Sequence, residues 1–243
     1  MTASGESPLP DANKSPPALT PLDDYPGSLA QKVYMSLRHA ILTLAFRPGE
    51  KMQKPEICAV LGVSRSPVTE AMTRLAGEGL VDIIPQTGSF VTRFSMAEIR
   101  EGAFLREALE LAAVERVATM ITAAELAELR ENLRIQEVRM QDGDLAGFHR
   151  ADAEMHELIL SFTGYRRLAA LAETSWVHVN RARQLNLPLP GRMQATLAEH
   201  KAIVAALEAR DPEAAREAMR RHLGQLITLL EPLVDKYPEL FVR

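Results

Sequence analysis

The sequence predicts a mainly α protein in two parts, and three observations carry that prediction. Apolar residues recur at helical spacing over most of the chain, a single pair of strand-like segments stands near residues 80–92, and no internal repeat is visible. The expected architecture is a short helical segment closed by a β-hairpin, then an all-α bundle of about six helices.

Residues 1–26 are rich in Pro, Ser, Ala and Asp without periodicity and are expected to form a disordered tail. From Ser28 onward, Leu29, Val33, Leu37, Ile41 and Leu44 mark a first helix, stopped by Arg47-Pro48-Gly49-Glu50. A second helix opens at Pro55, buries Ile57, Val60 and Leu61, and ends at Gly62, a residue able to take the left-handed conformation of a helix terminus. After the turn Val63-Ser64-Arg65, Ser66 reads as an N-cap and Pro67 as the first residue of a third helix. In that helix Val68, Ala71, Met72 and Leu75 share the inward face, while Thr69, Thr73 and Arg74 face out. Leu80–Ile84 and Ser89–Thr92 flank Pro85-Gln86-Thr87-Gly88 as a hairpin. Helix, Gly-containing turn, capped helix and hairpin make residues 27–93 a winged helix-turn-helix. Residues 94–243 then read as helices over 96–120, 123–141 (capped by Thr122), 144–162, 166–185, 193–210 and from Pro212, capped by Asp211, into the C-terminal segment.

The totals suit this division. A chain of 243 residues accommodates two modest domains, and 47% hydrophobic with 25% charged residues is ordinary for a globular protein. Net charge is −4, but residues 26–93 carry eight basic and five acidic residues, so the segment with the helix-turn-helix pattern is the basic one. The lone Cys58 excludes an internal disulfide, and neither a signal peptide nor an apolar run of bilayer length is present; a cytoplasmic protein with no membrane partner is expected.

Two sets of side chains carry chemistry. A recognition helix presents its N-terminal residues to base edges, which singles out Arg65 and Arg74, since guanidinium can bond guanine bidentately or clamp a phosphate. Ser64, Ser66, Thr69 and Thr73 offer hydroxyls to phosphates or bases, with capping as the plainer role for Ser66. Gly88 lets the wing backbone approach a minor groove, or simply serves a hairpin turn. In the helical part, Asp152 and His156 are four residues apart on one face, and His200 and His222 lie on the fifth and sixth helices. Three imidazoles and a carboxylate suit a borderline divalent ion, although a lone helical His is more often exposed or hydrogen-bonded. His149 shares that face and is a substitute ligand; His39 has no assigned role. Arg106 can bind an anion or pair with Glu110 one turn later.

The run from Val63 to Leu75, then Gly77-Glu78-Gly79-Leu80-Val81 and Pro85-Gln86-Thr87-Gly88, resembles the DNA-binding domain of GntR-family regulators. The helical remainder resembles the FCD effector domain of the FadR branch, and six helices are similar to its VanR-type subgroup. Thr69 and Thr87 stand where family members often have Arg, and Gly164-Tyr165 replaces a usual Asn. The resemblance implies a homodimer that binds operator DNA and regulates transcription. It implies that Asp152, His156, His200 and His222 hold a divalent metal, zinc ahead of nickel or manganese. It also implies a small carboxylate effector at Arg106, with His178 and Arg181 as further contacts. Two other readings are a dedicated metal sensor and a metal-dependent hydrolase. Against the latter, His156-Glu157-Leu158-Ile159-Leu160 lacks the second His of a zinc protease motif.

Overall fold

A computed structural model describes residues 19–242, without the side chains of 169–170 and 173–175. The expected disordered tail therefore falls mainly outside the described residues. Its last part is ordered: Leu22–Asp24 form a 3-10 turn, and Thr20 accepts a hydrogen bond of 2.8 Å from the Ser36 hydroxyl. The chain divides into two compact units, residues 1–96 with 233–243, and residues 97–232.

The first unit contains α1 (Leu29–Leu42), α2 (Lys54–Leu61), α3 (Arg65–Gly77), β1 (Val81–Ile84) and β2 (Gly88–Val91). Ser28 caps α1 through its side chain, and α2 ends at Gly62 with φ 67°, as the sequence predicts. Val33, Leu37 and Ile41 of α1 are buried, as are Val68, Ala71, Met72 and Leu75 of α3, the helix on which α1 chiefly packs. Three expected core residues are not buried: Leu29 in the first turn of α1 and Val60 near the end of α2 are exposed, and Leu61 is half-buried. The cap of α3 is also two residues earlier than expected. Ser64 is the N-cap, without a side-chain cap bond, and Ser66 lies exposed inside the first turn.

Strands β1 and β2 pair antiparallel from Val81↔Val91 to Ile84↔Gly88. The hairpin is widened by the segment before α2. Val91 N donates to Glu50 O (2.9 Å) and Met52 N to Ser89 O (2.9 Å). The C-terminal residues complete this unit, which the sequence did not suggest. Phe94 N donates to Leu240 O (2.9 Å), Val242 N to Phe94 O (2.8 Å), and the Phe94 and Phe241 rings lie 5.6 Å apart. Leu240 and Phe241 are buried.

The second unit holds α4 from its second residue (Met96–Met120), α5 (Ala123–Gln141), α6 (Leu145–Phe162), α7 (Arg166–Ser175), α8 (Val177–Asn186), α9 (Arg192–Glu208) and most of α10 (Pro212–Lys236). Thr122 and Glu125 close a reciprocal capping box at the start of α5. The fourth expected helix is two, because the backbone leaves helical geometry at Trp176 (φ −104°, ψ 7°). The described helices after residue 95 thus number seven, so the count that pointed to the VanR-type subgroup no longer does so. α5 packs on α6 and α9 around Leu129, Met155, Ile159, Ile203, Val204 and Leu207, with Val114 and Val117 of α4 and Met219 of α10 in the same cluster. This core brings α4, α5, α6, α9 and α10 together just where their polar residues turn inward. None of the described helices is long and apolar enough to cross a membrane.

If the C-terminal residues belong to the first unit, Phe241→Ala should destabilise it by about 3 kcal/mol, the usual cost of emptying a buried phenylalanine site. Urea unfolding followed by circular dichroism measures this, and an unchanged midpoint would show that the segment is dispensable.

Candidate metal centre and nucleic-acid interface

Asp152 and His156, one turn apart on α6, meet His200 of α9 and His222 of α10, and all four are buried. His156 Nε2 lies 3.2 Å from His222 Nε2, and His200 Nε2 lies 3.3 Å from the same atom. Asp152 Oδ1 is 3.2 Å from His200 Nε2 and 3.7 Å from His156 Nε2. The four expected ligands therefore converge on one point.

The opposite edge of each ring is held from outside. His156 Nδ1 contacts Glu110 Oε2, His200 Nδ1 is 2.7 Å from Gln136 Oε1, and His222 Nδ1 is 2.8 Å from Glu199 Oε2. All three outer atoms accept hydrogen bonds, so each ring carries its proton on Nδ1 and turns the Nε2 lone pair inward. The Gln136 amide is itself oriented, since its Nε2 donates to Asn132 Oδ1 (2.7 Å) and Asn132 Nδ2 donates to Ala151 O (2.9 Å).

Burial, then neighbouring imidazoles and arginines, push His200 and His222 well below the ordinary histidine range. Burial lowers His156 as well, against the opposite pull of Glu110. Burial alone would raise the Glu110 carboxyl, but Arg106 and His156 outweigh it and hold the group ionised. Neutral imidazoles with inward lone pairs, beside a carboxylate oxygen that accepts no hydrogen bond, form a cation-binding donor set. The spacing also fits, because tetrahedral ligands at ~2.0–2.1 Å from an ion lie about 3.3 Å from one another.

Beside this cluster lies a small cavity of about 40 Å³, into which Arg106, Asp152 and His222 reach. Arg106 Nε bonds Glu110 Oε1 at 2.6 Å, the pairing foreseen as its structural role, while its Nη2 is buried without a partner. Arg183 pairs with Asp152 Oδ2, and Arg192 grips both oxygens of Glu199 at 2.9 and 2.7 Å. Two expected effector contacts do not line this cavity. His178 faces Glu98 at 3.9 Å, and Arg181 is fully buried elsewhere in α8. Residues two apart on a helix point about 200° apart, so α8 offers Arg183 to the cavity in place of Arg181. His149, the substitute ligand, stands outside the cluster, 3.3 Å from Gln184 Nε2. Gln136, Glu199 and Arg192 were the residues that periodicity could not single out.

In the first unit, Arg65, Ser66, Thr69, Glu70, Thr73 and Arg74 share the outward face of α3. Thr73 Oγ1 donates back to Thr69 O (3.0 Å). The Arg74 guanidinium lies 3.6 Å from the Tyr34 ring centroid, and its Nη1 bonds Gln31 Oε1 at 2.5 Å, so it is tied to α1. Arg65, by contrast, stands exposed at the start of the helix, preceded by the exposed Ser64. At the wing, Gly88 has φ 140°, and a Cβ there would meet Lys51 Cε at 2.8 Å. The backbone conformation is what calls for glycine here, since the flexible end of Lys51 can move aside. Lys51, which the sequence did not mark, thereby adds a cation beside the wing.

A helix-turn-helix with a wing, joined to a helical domain with a buried Asp/His cluster, defines a class of DNA-binding regulators. Residues 29–91 match the bacterial regulatory proteins of the gntR family, and residues 101–225 match the FCD domain. The chain belongs to the GntR family and is a transcriptional regulator, not an enzyme. It is 35% identical over 209 residues (86% of this chain, 88% of the relative) to an HTH-type transcriptional regulator in an unstable DNA locus of Streptomyces ambofaciens. It is 33% identical over 196 residues (81% and 86%) to the HTH-type transcriptional repressor RspR of Escherichia coli. The fold is similar to that of E. coli McbR, with a TM-score of 0.74 at 24% identity, covering 86% of this chain and 99% of that one.

The buried imidazoles make an acid-sensitivity prediction. Their folded-state values lie below the ordinary 6.5, and His149 is pushed down to about 3 by burial and by Arg183. An unfolded chain then binds more protons below pH 6.5 than the folded one, so this stability is full above about 6.5 and is lost as the pH falls through it. The urea midpoint of chelator-treated protein should fall between pH 7 and 5, and less steeply in His149→Gln. Identical, flat profiles would contradict neutral buried rings.

Proposed function

We propose that this regulator is a homodimer whose operator affinity is set by a small organic acid, held in the helical domain by a zinc ion and by Arg106. It acts in the cytoplasm, on its operator DNA. The observation that carries this reading is the convergence of three inward Nε2 atoms and Asp152 Oδ1 beside the unpartnered Arg106 Nη2. Zinc is favoured over nickel or manganese because three imidazole nitrogens and one carboxylate at this spacing match its usual ligands and bond lengths. When bound, the ion would be held by Asp152, His156, His200 and His222, and would supply Lewis acidity toward an anionic ligand. The chain's own residues orient the site. Glu110, Gln136 and Glu199 fix the rings, and Arg106 offers a charge-assisted hydrogen bond. To act as a signal, the acid must bind one state of the protein better than the other, since equal affinity shifts nothing.

Elemental analysis of protein prepared without metal resin should find about one ion per chain, as one four-ligand site requires, and none in a His200→Ala/His222→Ala variant. In thermal-shift measurements a carboxylate should stabilise the wild type, leave Arg106→Ala unmoved, and change operator affinity. An ion retained by the double variant, or acids that stabilise both proteins equally, would remove the scheme. Metal-dependent DNA binding without any acid would instead favour a metal sensor.

For DNA, the proposed contacts are Arg65 with Ser64, Ser66, Thr69, Thr73, Arg74 and the backbone at Gly88. A dimer over two half-sites spaced about 34–36 Å is the matching arrangement. Arg65→Ala should cost about 1–3 kcal/mol of operator binding, read by fluorescence anisotropy at fixed salt. Sizing of the complex should give two chains per operator. Unchanged affinity in a folded variant would strike Arg65 from the contacts.

A further inference from the structure

The wing is short of positive charge, and a neighbouring segment supplies it. Residues 81–91, the whole hairpin, carry one charged side chain, and it is the acidic Asp82. Duplex DNA bears one negative charge for every ~1.7 Å of its axis, so a hairpin of that composition is repelled by the surface it has to approach. We infer that Lys51, on the segment before α2, is the cation of the wing and holds a DNA phosphate there, whatever the base sequence. The inference rests on the DNA contacts proposed above and extends them.

The pleat of the sheet places this lysine. Lys51 forms an antiparallel bridge to Phe90, so its segment runs along the edge of β2 that β1 leaves open. Directly opposed residues of an antiparallel pair share a face, and so do residues two apart on a strand. Lys51, Phe90 and Gly88 therefore lie on one face. The Lys51 Nζ stands 5.8 Å from the Phe90 ring centroid. From there the side chain follows β2 toward the turn, with Cε 2.8 Å and Nζ 3.4 Å from the point where a Cβ of residue 88 would stand. The ammonium thus ends beside Ile84↔Gly88, the last pair before the tip.

No anion of the protein neutralises it. Asp82 pairs with Phe90 from the far side, two strand spacings or about 10 Å from the Lys51 segment. Glu50 alternates to the opposite face, where its Oε2 accepts from Arg47 N at 2.8 Å. Among the described residues no carboxylate pairs with Lys51, which is exposed. Arg93, the next cation after the hairpin, is engaged elsewhere, since its Nε donates to Glu239 O at 3.0 Å. An ammonium is a compact charge with three donors and suits a phosphate oxygen, a contact that fixes position without reading sequence.

The test uses full-length protein, an operator recovered by the wild type from random-sequence duplexes, and a scrambled duplex of the same length. Fluorescence anisotropy gives both affinities from about 50 to 200 mM salt, and each phosphate contact adds about 0.9 to the slope of log affinity against log salt. Lys51→Met keeps the aliphatic stem and should lower that slope by about 0.9 for each bound chain. Its deficit against the wild type should then shrink about 3.5-fold per chain over this range, equally on both duplexes. Lys51→Arg should keep the wild-type slope. Weaker binding with an unmoved slope would show that Lys51 only steadies the wing through Phe90, and a loss confined to the operator would make it a base contact; either result overturns the inference. If Lys51→Met binds as the wild type does while Arg65→Ala is weakened, this inference is wrong and the DNA reading stands. If neither variant differs from the wild type, the proposed DNA contacts fail together. Should Lys51→Met not fold, Lys51→Gln is read by the same slope.

Discussion

Three imidazole nitrogens, two of them 3.2 and 3.3 Å from the third, can jointly hold a cation only where none of them carries a proton toward the others. That constraint organises the second unit. Each ring must keep its proton on Nδ1, so each needs a buried acceptor behind it, and α4, α5 and α9 supply Glu110, Gln136 and Glu199. Each acceptor must in turn be held. Arg106 holds Glu110, Asn132 holds Gln136 and Arg192 holds Glu199. A buried polar network is costly unless every member is satisfied, because a donor or acceptor stranded in a low-dielectric interior loses its water and gains nothing. The inward lone pairs are the members that the protein itself leaves open, which is why the cluster reads as a cation site.

The DNA-binding unit is organised by a smaller node. Glu78, just after α3, accepts from the Tyr34 hydroxyl at 2.5 Å and from Arg38 Nε at 3.0 Å, both on α1. With Arg74 stacked on Tyr34, the end of the recognition helix is fastened to α1 by polar contacts over an apolar interface. The N-terminal end of α3 has no such tether. Ser64 and Arg65 are exposed there, and that is the end a recognition helix presents to base edges. Arg74, equal to Arg65 on sequence grounds, is thus half occupied with the protein's own structure.

Helical residues and their ends were legible because they follow from local rules. Ser28, Gly62 and Thr122 mark helix boundaries by the backbone groups they satisfy or the φ they tolerate, and such effects do not depend on distant residues. The break at Trp176 was not legible, since no Pro or Gly announces it. Nor was the C-terminal segment, whose Leu240 and Phe241 pair with Phe94 more than half the chain away. The expected place of Ser66 at the helix start missed by two residues because Ser64 is an equally good cap by type.

The sequence by itself determined the two-part fold, the outward face of α3 and, through the family resemblance, the four residues of the buried Asp/His cluster. A period of 3.6 assigns faces from spacing alone, and Asp152 and His156 share one by arithmetic. Which faces meet is a different matter, since it depends on how helices far apart in sequence pack. Only the tertiary structure therefore placed Arg183 rather than Arg181 at the cavity, paired Glu110 with both Arg106 and His156, and set Lys51 against Gly88. It also decided that Asn186 and Thr196, ordinary polar residues in the sequence, are buried beside an arginine and the candidate ion site. A polar side chain acquires its chemical role from the water it loses and the partners it gains, and both are fixed only when the helices close around it.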